Sequence, residues 1–187
     1  MCGIVSLYNK RQAPVLQETI GAMTRVILHR GPDDDGFHLE DNIALGFRRL
    51  SIIDVEGGHQ PLFNETRDIW IIGNGEIYNY KELQQWLKEC GHVFHTDSDI
   101  ETILHLYEEV GTDAPKHLRG MFGFTIYDSR NKRLFGARDQ FGIKPLYYVE
   151  TEDSIAVASE IKSLLELPGV KREVNPTGFY HYLTFQY

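Results

Sequence analysis

Runs of residues that favour strands arrive in groups along this chain rather than alternating one by one with helices, and that order restricts the fold severely. Cys2 to Tyr8, Ile43 to Phe47 and Ile69 to Ile72 are short apolar segments bounded by turn residues. Beyond Gly120, the runs Phe122 to Tyr127, Arg133 to Arg138, Leu146 to Val149 and Ile155 to Ala158 predict an antiparallel meander. Leu16, Ile20, Met23 and Ile27 recur at helical spacing, which predicts a helix from about Val15 to Leu28, stopped by His29-Arg30-Gly31-Pro32-Asp33. Asn79 is a candidate cap for a helix carrying Leu83, Trp86 and Leu87 and ending at Gly91. Ser98-Asp99-Ile100-Glu101 has the form of a capping box ahead of Ile103, Leu104 and Tyr107. Glu160 to Leu167 is helical up to Pro168, and Asn175-Pro176 opens a last helix. Parallel sheets need a crossover between successive strands, and no regular crossover pattern exists here. The chain is therefore placed in the α+β class, with antiparallel sheets.

Composition removes several functions. A length of 187 residues suits one domain with a real core, and the 42% hydrophobic and 25% charged content is that of a globular protein. The net charge of -8 argues against a nucleic-acid surface, which needs a basic face. Cys2 and Cys90 form neither a CxxC pair nor a disulfide framework, so a reducing, cytoplasmic setting is expected. No apolar stretch approaches the roughly 20 residues of a membrane span, and the N-terminus lacks the form of a signal peptide.

The chemistry of the chain begins at its start. Removal of Met1 would leave Cys2 with a thiol and a free α-amine in one residue, a nucleophile and its own base. An α-amine with a pKa of roughly 7.7 to 8.0 is partly unprotonated near neutrality and can accept the thiol proton. Taken alone, Cys2 reads first as a small apolar residue at the start of a buried strand. Asn74-Gly75, after an apolar run, is either a hairpin turn or an Asn amide and a Gly N–H set as an oxyanion hole. Arg48 and Arg49 on one strand point to opposite faces, so only one enters a given pocket. Asp33-Asp34-Asp35-Gly36 is expected to be a solvated acidic turn and Cys90 to be inert. His92, His95, Asp97 and Asp99 match no established zinc spacing, so no metal site is expected.

Several motifs occur together and in order: Met1-Cys2-Gly3-Ile4, His29-Arg30-Gly31-Pro32-Asp33, Arg49-Leu50-Ser51-Ile52, Asn74-Gly75-Glu76-Ile77-Tyr78-Asn79, and Arg138-Asp139-Gln140-Phe141-Gly142-Ile143-Lys144-Pro145-Leu146-Tyr147-Tyr148. With these the chain, over residues 1–187, resembles the glutaminase domain of glutamine-hydrolysing asparagine synthetase, a class II glutamine amidotransferase domain. The resemblance implies an N-terminal nucleophile hydrolase fold, a four-layer sandwich of two antiparallel sheets between helix layers. It also implies hydrolysis of L-glutamine through a Cys2 thioester, with the Cys2 amine as base and Asn74 and Gly75 holding the oxyanion. Arg49 would grip the substrate α-carboxylate and Glu76 with Asp99 its α-ammonium, with backbone contacts from Leu50 and Ile52. An ATP-dependent synthetase domain is expected after residue 187, because no Ser-Gly-Gly-x-Asp run occurs within the chain. That domain or subunit would be the partner and would use ATP and magnesium; the glutaminase region needs no cofactor, and a homodimer is left open. The alternatives are another class II amidotransferase, against which Leu50 after Arg49 speaks, or a non-catalytic glutamine-binding module if Met1 is retained.

Overall fold

The computed structural model describes residues 1–51 and 58–186. Its strands are β1 (Gly3–Asn9), β2 (Asp34–Glu40), β3 (Ile43–Arg49), β4 (Leu62–Phe63), β5 (Ile69–Ile77), β6 (Gly120–Asp128), β7 (Arg133–Arg138), β8 (Tyr147–Glu150) and β9 (Ser154–Ala158). The α-helices are α1 (Gln17–Arg25), α2 (Tyr80–Glu89), α3 (Asp99–Val110), α4 (Ile161–Leu164) and α5 (Pro176–Phe185). Among the described residues the strands form two antiparallel sheets, ordered β2-β3-β1-β9-β8 and β4-β5-β6-β7.

Packing stacks these elements in four layers. Ile20, Met23 and Ile27 on the α1 side bury against Val5, Leu7, Ala44, Ala156 and Ala158 of the first sheet. The opposite face of that sheet sends Ile4, Ile43, Leu45 and Phe47 against Ile72 and Tyr127 of the second. The second sheet's outer face, with Ile69, Ile71, Phe124 and Ile126, is covered by Ile103, Leu104 and Tyr107 of α3 and by Leu87 of α2. Each such side chain contributes roughly 1.5–3 kcal/mol on burial, so the layer order is set mainly by apolar area. β1 is covered on both faces, which is why it is almost continuously apolar. Its one polar inward residue, Ser6, meets Thr125 across the sheets at 2.6 Å.

The expected elements differ from the observed ones in instructive places. Asp34 and Asp35 open strand β2 instead of extending a turn, with Asp34 paired to His59 at 2.6 Å and Asp35 to Arg48 at 3.2 Å. Their charges are met by neighbours, which relieves the repulsion that favoured a solvated turn. Gly73 to Ile77 continues β5 without a hairpin, because β6 pairs with β5 over its whole length. The expected meander is split: β7 pairs with β6 in one sheet, while β8 and β9 belong to the other. Periodicity predicts a strand but carries no label for its sheet. Asn79 does not cap α2 with its side chain; its amide bridges to the His117 carbonyl at 3.0 Å and the Arg119 N–H at 2.9 Å. Ser98 does cap α3, accepting from the Ile100 N–H at 3.3 Å.

Candidate active site

Cys2 sits one residue before β1, where Gly3 lies opposite Arg48 of β3. The Leu50 N–H points to the Cys2 sulfur at 3.4 Å, and the sulfur lies 3.6 Å from the Leu50 carbonyl. The motif that ends the first helical region fixes this corner from behind. Arg30, buried, donates through Nε to the Cys2 carbonyl at 3.0 Å and through Nη1 to Glu160 at 3.1 Å. Asp33 accepts from the Ser51 N–H at 2.9 Å and its own N–H reaches the Arg49 carbonyl at 3.1 Å. Gly31 permits this close approach, since a Cβ there would strike the backbone of Arg48 and Arg49.

A cavity of about 130 Å³ opens beside Cys2. It is lined by Met1, Cys2, Arg49 and Leu50 from the first sheet and by Asn74, Gly75 and Glu76 from β5. Asp99 and Lys144 complete its polar wall. The structure thus brings together Cys2, Arg49, Leu50, Asn74, Gly75, Glu76 and Asp99. Ile52 lies outside the described residues. Arg49 is 6% exposed, while Arg48 turns to the other face and pairs with Asp35. The alternation of β3 therefore sends one guanidinium to each side.

The β5 edge carries the polar donors. Gly73 is held through both backbone groups by the Gln60 side chain, at 2.7 Å from its N–H and 3.2 Å from its carbonyl. Two pleats on, the Ile77 N–H donates to Asp99 Oδ2 at 2.7 Å. Backbone groups at alternate positions face the same edge, so the Gly75 N–H between them points the same way, toward the cavity. Asn74 is 4% exposed, and its Nδ2 has no hydrogen-bond partner among the described residues. Gly75 is required by β6, because a Cβ would meet the Met121 carbonyl.

Burial pushes the Asp99 carboxyl above the usual carboxylate range, and the nearby Glu76 charge adds to the rise. The Ile77 N–H opposes both without overcoming them. A cation placed between Glu76 and Asp99 would relieve this strain of charge. Lys144, buried, directs its ammonium to the Met1 sulfur at 3.9 Å. Its loop is built on Asp139, whose carboxylate accepts from Phe141, Ile143, Lys144 and Phe122 N–H groups at 3.1, 2.9, 2.9 and 3.3 Å. These bonds hold the Asp139 carboxyl below the usual range although its burial acts to raise it.

Sequence reasoning passed over Gln60 and assigned no site role to Lys144. Nothing in the residues beside Gln60 marks its reach to Gly73. Asp139 with Gly142 three residues on, at φ +64, is a turn signal that would have located the Lys144 loop.

The sequence profile of the glutamine amidotransferase domain matches residues 1–187. The chain belongs to the glutamine amidotransferase domain family. Asparagine synthetase [glutamine-hydrolyzing] 1 of Bacillus subtilis is 46% identical to the domain, over 100% of this chain and 30% of that protein. Asparagine synthetase [glutamine-hydrolyzing] 2 of the same organism is 44% identical, over 94% of this chain and 24% of that protein. The domain thus spans less than a third of the length of either relative. A glutamine phosphoribosylpyrophosphate amidotransferase structure from B. subtilis, complexed with ADP and GMP, superposes with a TM-score of 0.72 at 21% identity. That superposition covers 87% of this chain and 43% of the other, and the shared fold is the N-terminal nucleophile hydrolase fold. Among the described residues no helix is long and apolar enough to cross a membrane.

Proposed function

We propose that this domain hydrolyses L-glutamine to glutamate and ammonia, with Cys2 as nucleophile once Met1 has been removed. One observation carries the reading: a thiol, a buried amide donor with no partner among the described residues, a buried guanidinium and two carboxyls border one small cavity. Its volume is far below the roughly 300–1,000 Å³ of drug-sized pockets, which suits a small metabolite. Free glutamine is a zwitterion, and Arg49 matches its carboxylate bidentately while Glu76 and Asp99 receive its ammonium. Leu50, and Ile52 by resemblance, supply backbone contacts.

Removal of Met1 converts the Cys2 amide nitrogen into a free amine. That amine takes the thiol proton, and the thiolate attacks the substrate's δ-amide carbon. The resulting oxyanion is received by Asn74 Nδ2 and the Gly75 N–H. The protonated amine then gives its proton to the departing nitrogen, and ammonia leaves behind a γ-glutamyl thioester. Water, deprotonated by the same amine, attacks the thioester; glutamate departs and the thiol is restored. The Cys2 thiol, its α-amine and water account for every proton, so the hydrolysis is drawn without a cofactor.

The ammonia is proposed to serve ATP-dependent conversion of aspartate to asparagine in a synthetase domain or subunit, in a cytoplasmic enzyme. The two B. subtilis relatives, both glutamine-hydrolysing asparagine synthetases, support that acceptor. α5 supports a docked partner, since Phe179, Tyr180, Tyr182, Leu183 and Phe185 are all exposed on it. ATP and magnesium belong to that partner. Intact-mass measurement tests Met1 removal, and ammonia release from glutamine tests the reaction. Processed protein should release ammonia and the Cys2→Ala variant should release none. Equal release by that variant would refute the nucleophile, and glutamine binding without release by a Met1-retaining protein would make this a binding module.

A further inference from the structure

A second cluster of ionisable side chains lies outside the lining of the Cys2 cavity and has no part in the proposed hydrolysis. Glu65 follows β4, His92 lies between α2 and α3, and His105 and Glu108 stand on α3. Each offers one ligand atom, and these atoms all lie within 4.8 Å of one another. We propose that Glu65, His92, His105 and Glu108 form a structural site for a zinc-class divalent cation.

The spacing of the donors carries the argument. Four ligands at zinc–nitrogen and zinc–oxygen distances of about 2.0–2.1 Å stand at the corners of a tetrahedron with edges of roughly 3.3–3.4 Å. Here His105 Nδ1 is 3.2 Å from Glu108 Oε2 and 3.7 Å from Glu65 Oε2. His92 Nδ1 is 3.4 Å from Glu65 Oε1 and 3.7 Å from Glu108 Oε2. Both histidines turn the same ring nitrogen inward, and with all four donors inside 4.8 Å of one another a cation would draw the wider-spaced ones together.

Outer partners hold the donors in that pose. Glu108 Oε1 accepts from Asn64 Nδ2 at 2.8 Å and faces Arg130 at 3.5 Å, which leaves Oε2 turned inward. The far nitrogen of His92 meets Glu109 at 3.0 Å, and that of His105 faces the buried Glu101 at 3.6 Å. An imidazole hydrogen-bonded to a carboxylate is the usual support of a metal-bound histidine, and His92 with Glu109 has it. Although burial acts to lower it, Glu101 and Glu108 raise the His105 pKa to about 9, so a cation would displace that proton; the imidazoles, then neutral, and the two carboxylates carry a charge that one divalent cation cancels. The nitrogen donors disfavour magnesium and calcium, which take oxygen ligands in larger numbers. With all four positions filled by protein, the ion would be structural. It would tie the segment after β4 and the α2–α3 connection to α3, whose first turn carries Asp99. His105 lies about 9 Å along the helix from Asp99 at 1.5 Å per residue.

The test is zinc binding by the chelator-stripped chain, measured by competition with a chromogenic chelator at constant pH. One zinc per chain, a tetrahedral visible spectrum with cobalt, and a rise in Tm of several degrees with excess zinc are expected. His92→Ala and Glu65→Gln should each weaken zinc binding at least tenfold, whereas His181→Ala on α5 should not. Glu65→Gln keeps the shape of the side chain, so its folding is not in question. No stoichiometric uptake, an octahedral cobalt spectrum, or unchanged affinity in Glu65→Gln would overturn the site.

Discussion

Two buried polar corners flank the same cavity and behave in opposite ways. At Asp139 the carboxylate is met by four backbone N–H groups, and its pKa is held down. At Asn74 and Asp99 burial is equally deep, yet the Asn74 Nδ2 has no partner among the described residues and the Asp99 pKa is driven up. The first corner is complete by itself and fixes the Lys144 loop. In the proposed reaction the second would be completed by an oxyanion and an ammonium supplied from outside. Buried polarity thus has two meanings, scaffold where its partners belong to the chain and binding site where they do not.

The strongest way to break this contrast is Asn74→Ala. It should lower kcat for glutamine hydrolysis by about 100- to 1,000-fold, or about 3–4 kcal/mol, with KM and Tm little changed. Steady-state kinetics beside a melting curve would read both, and a large fall in Tm with intact kcat would reverse the assignment. Asp139→Ala should do the opposite, costing on the order of 3 kcal/mol of stability by stranding the donors around it. Its contribution is present above the ordinary carboxylate value of 3.8 and is lost as pH falls through the lower folded value. Denaturant unfolding of the variant should therefore show a weaker acid dependence than the parent.

Asp99 sharpens the contrast through pH. Only its ionised form can receive the substrate ammonium, so kcat/KM should fall about tenfold per unit once pH drops below its raised pKa. That limb should begin above the pH expected of an ordinary aspartate, and Glu76→Gln should move it lower by removing the neighbouring charge. In stability the sign is reversed: the raised pKa favours the folded state at low pH, and that advantage disappears as pH rises through it. The smallest effect belongs to Ser98→Ala, which removes the α3 cap and should cost about 1 kcal/mol in urea unfolding.

Much of this was legible in the order of residues. The class of fold followed from grouped strands, the helices at Ser98 and Asn175 from their caps, and the opposite facing of Arg48 and Arg49 from strand alternation. The Asn74-Gly75 pair offered two meanings, and local chemistry could not choose between a hairpin and an open edge. The choice was made by β6, which pairs past Ile77, and by Gln60, which holds the outward face of Gly73. The metal-type cluster was illegible for a similar reason. Its members are drawn from positions 65, 92, 105 and 108, and of the run His92, His95, Asp97 and Asp99 it uses His92 alone.

By itself the sequence determined most of the elements, the α+β class and the family, because periodicity, capping residues and contiguous motifs act over a few positions. The tertiary structure alone decided which sheet each strand joined, which glutamine closed the β5 edge and which buried donor has no partner among the described residues. Those outcomes depend on groups from distant parts of the chain meeting in low-dielectric space, where the presence or absence of one hydrogen bond sets a charge state.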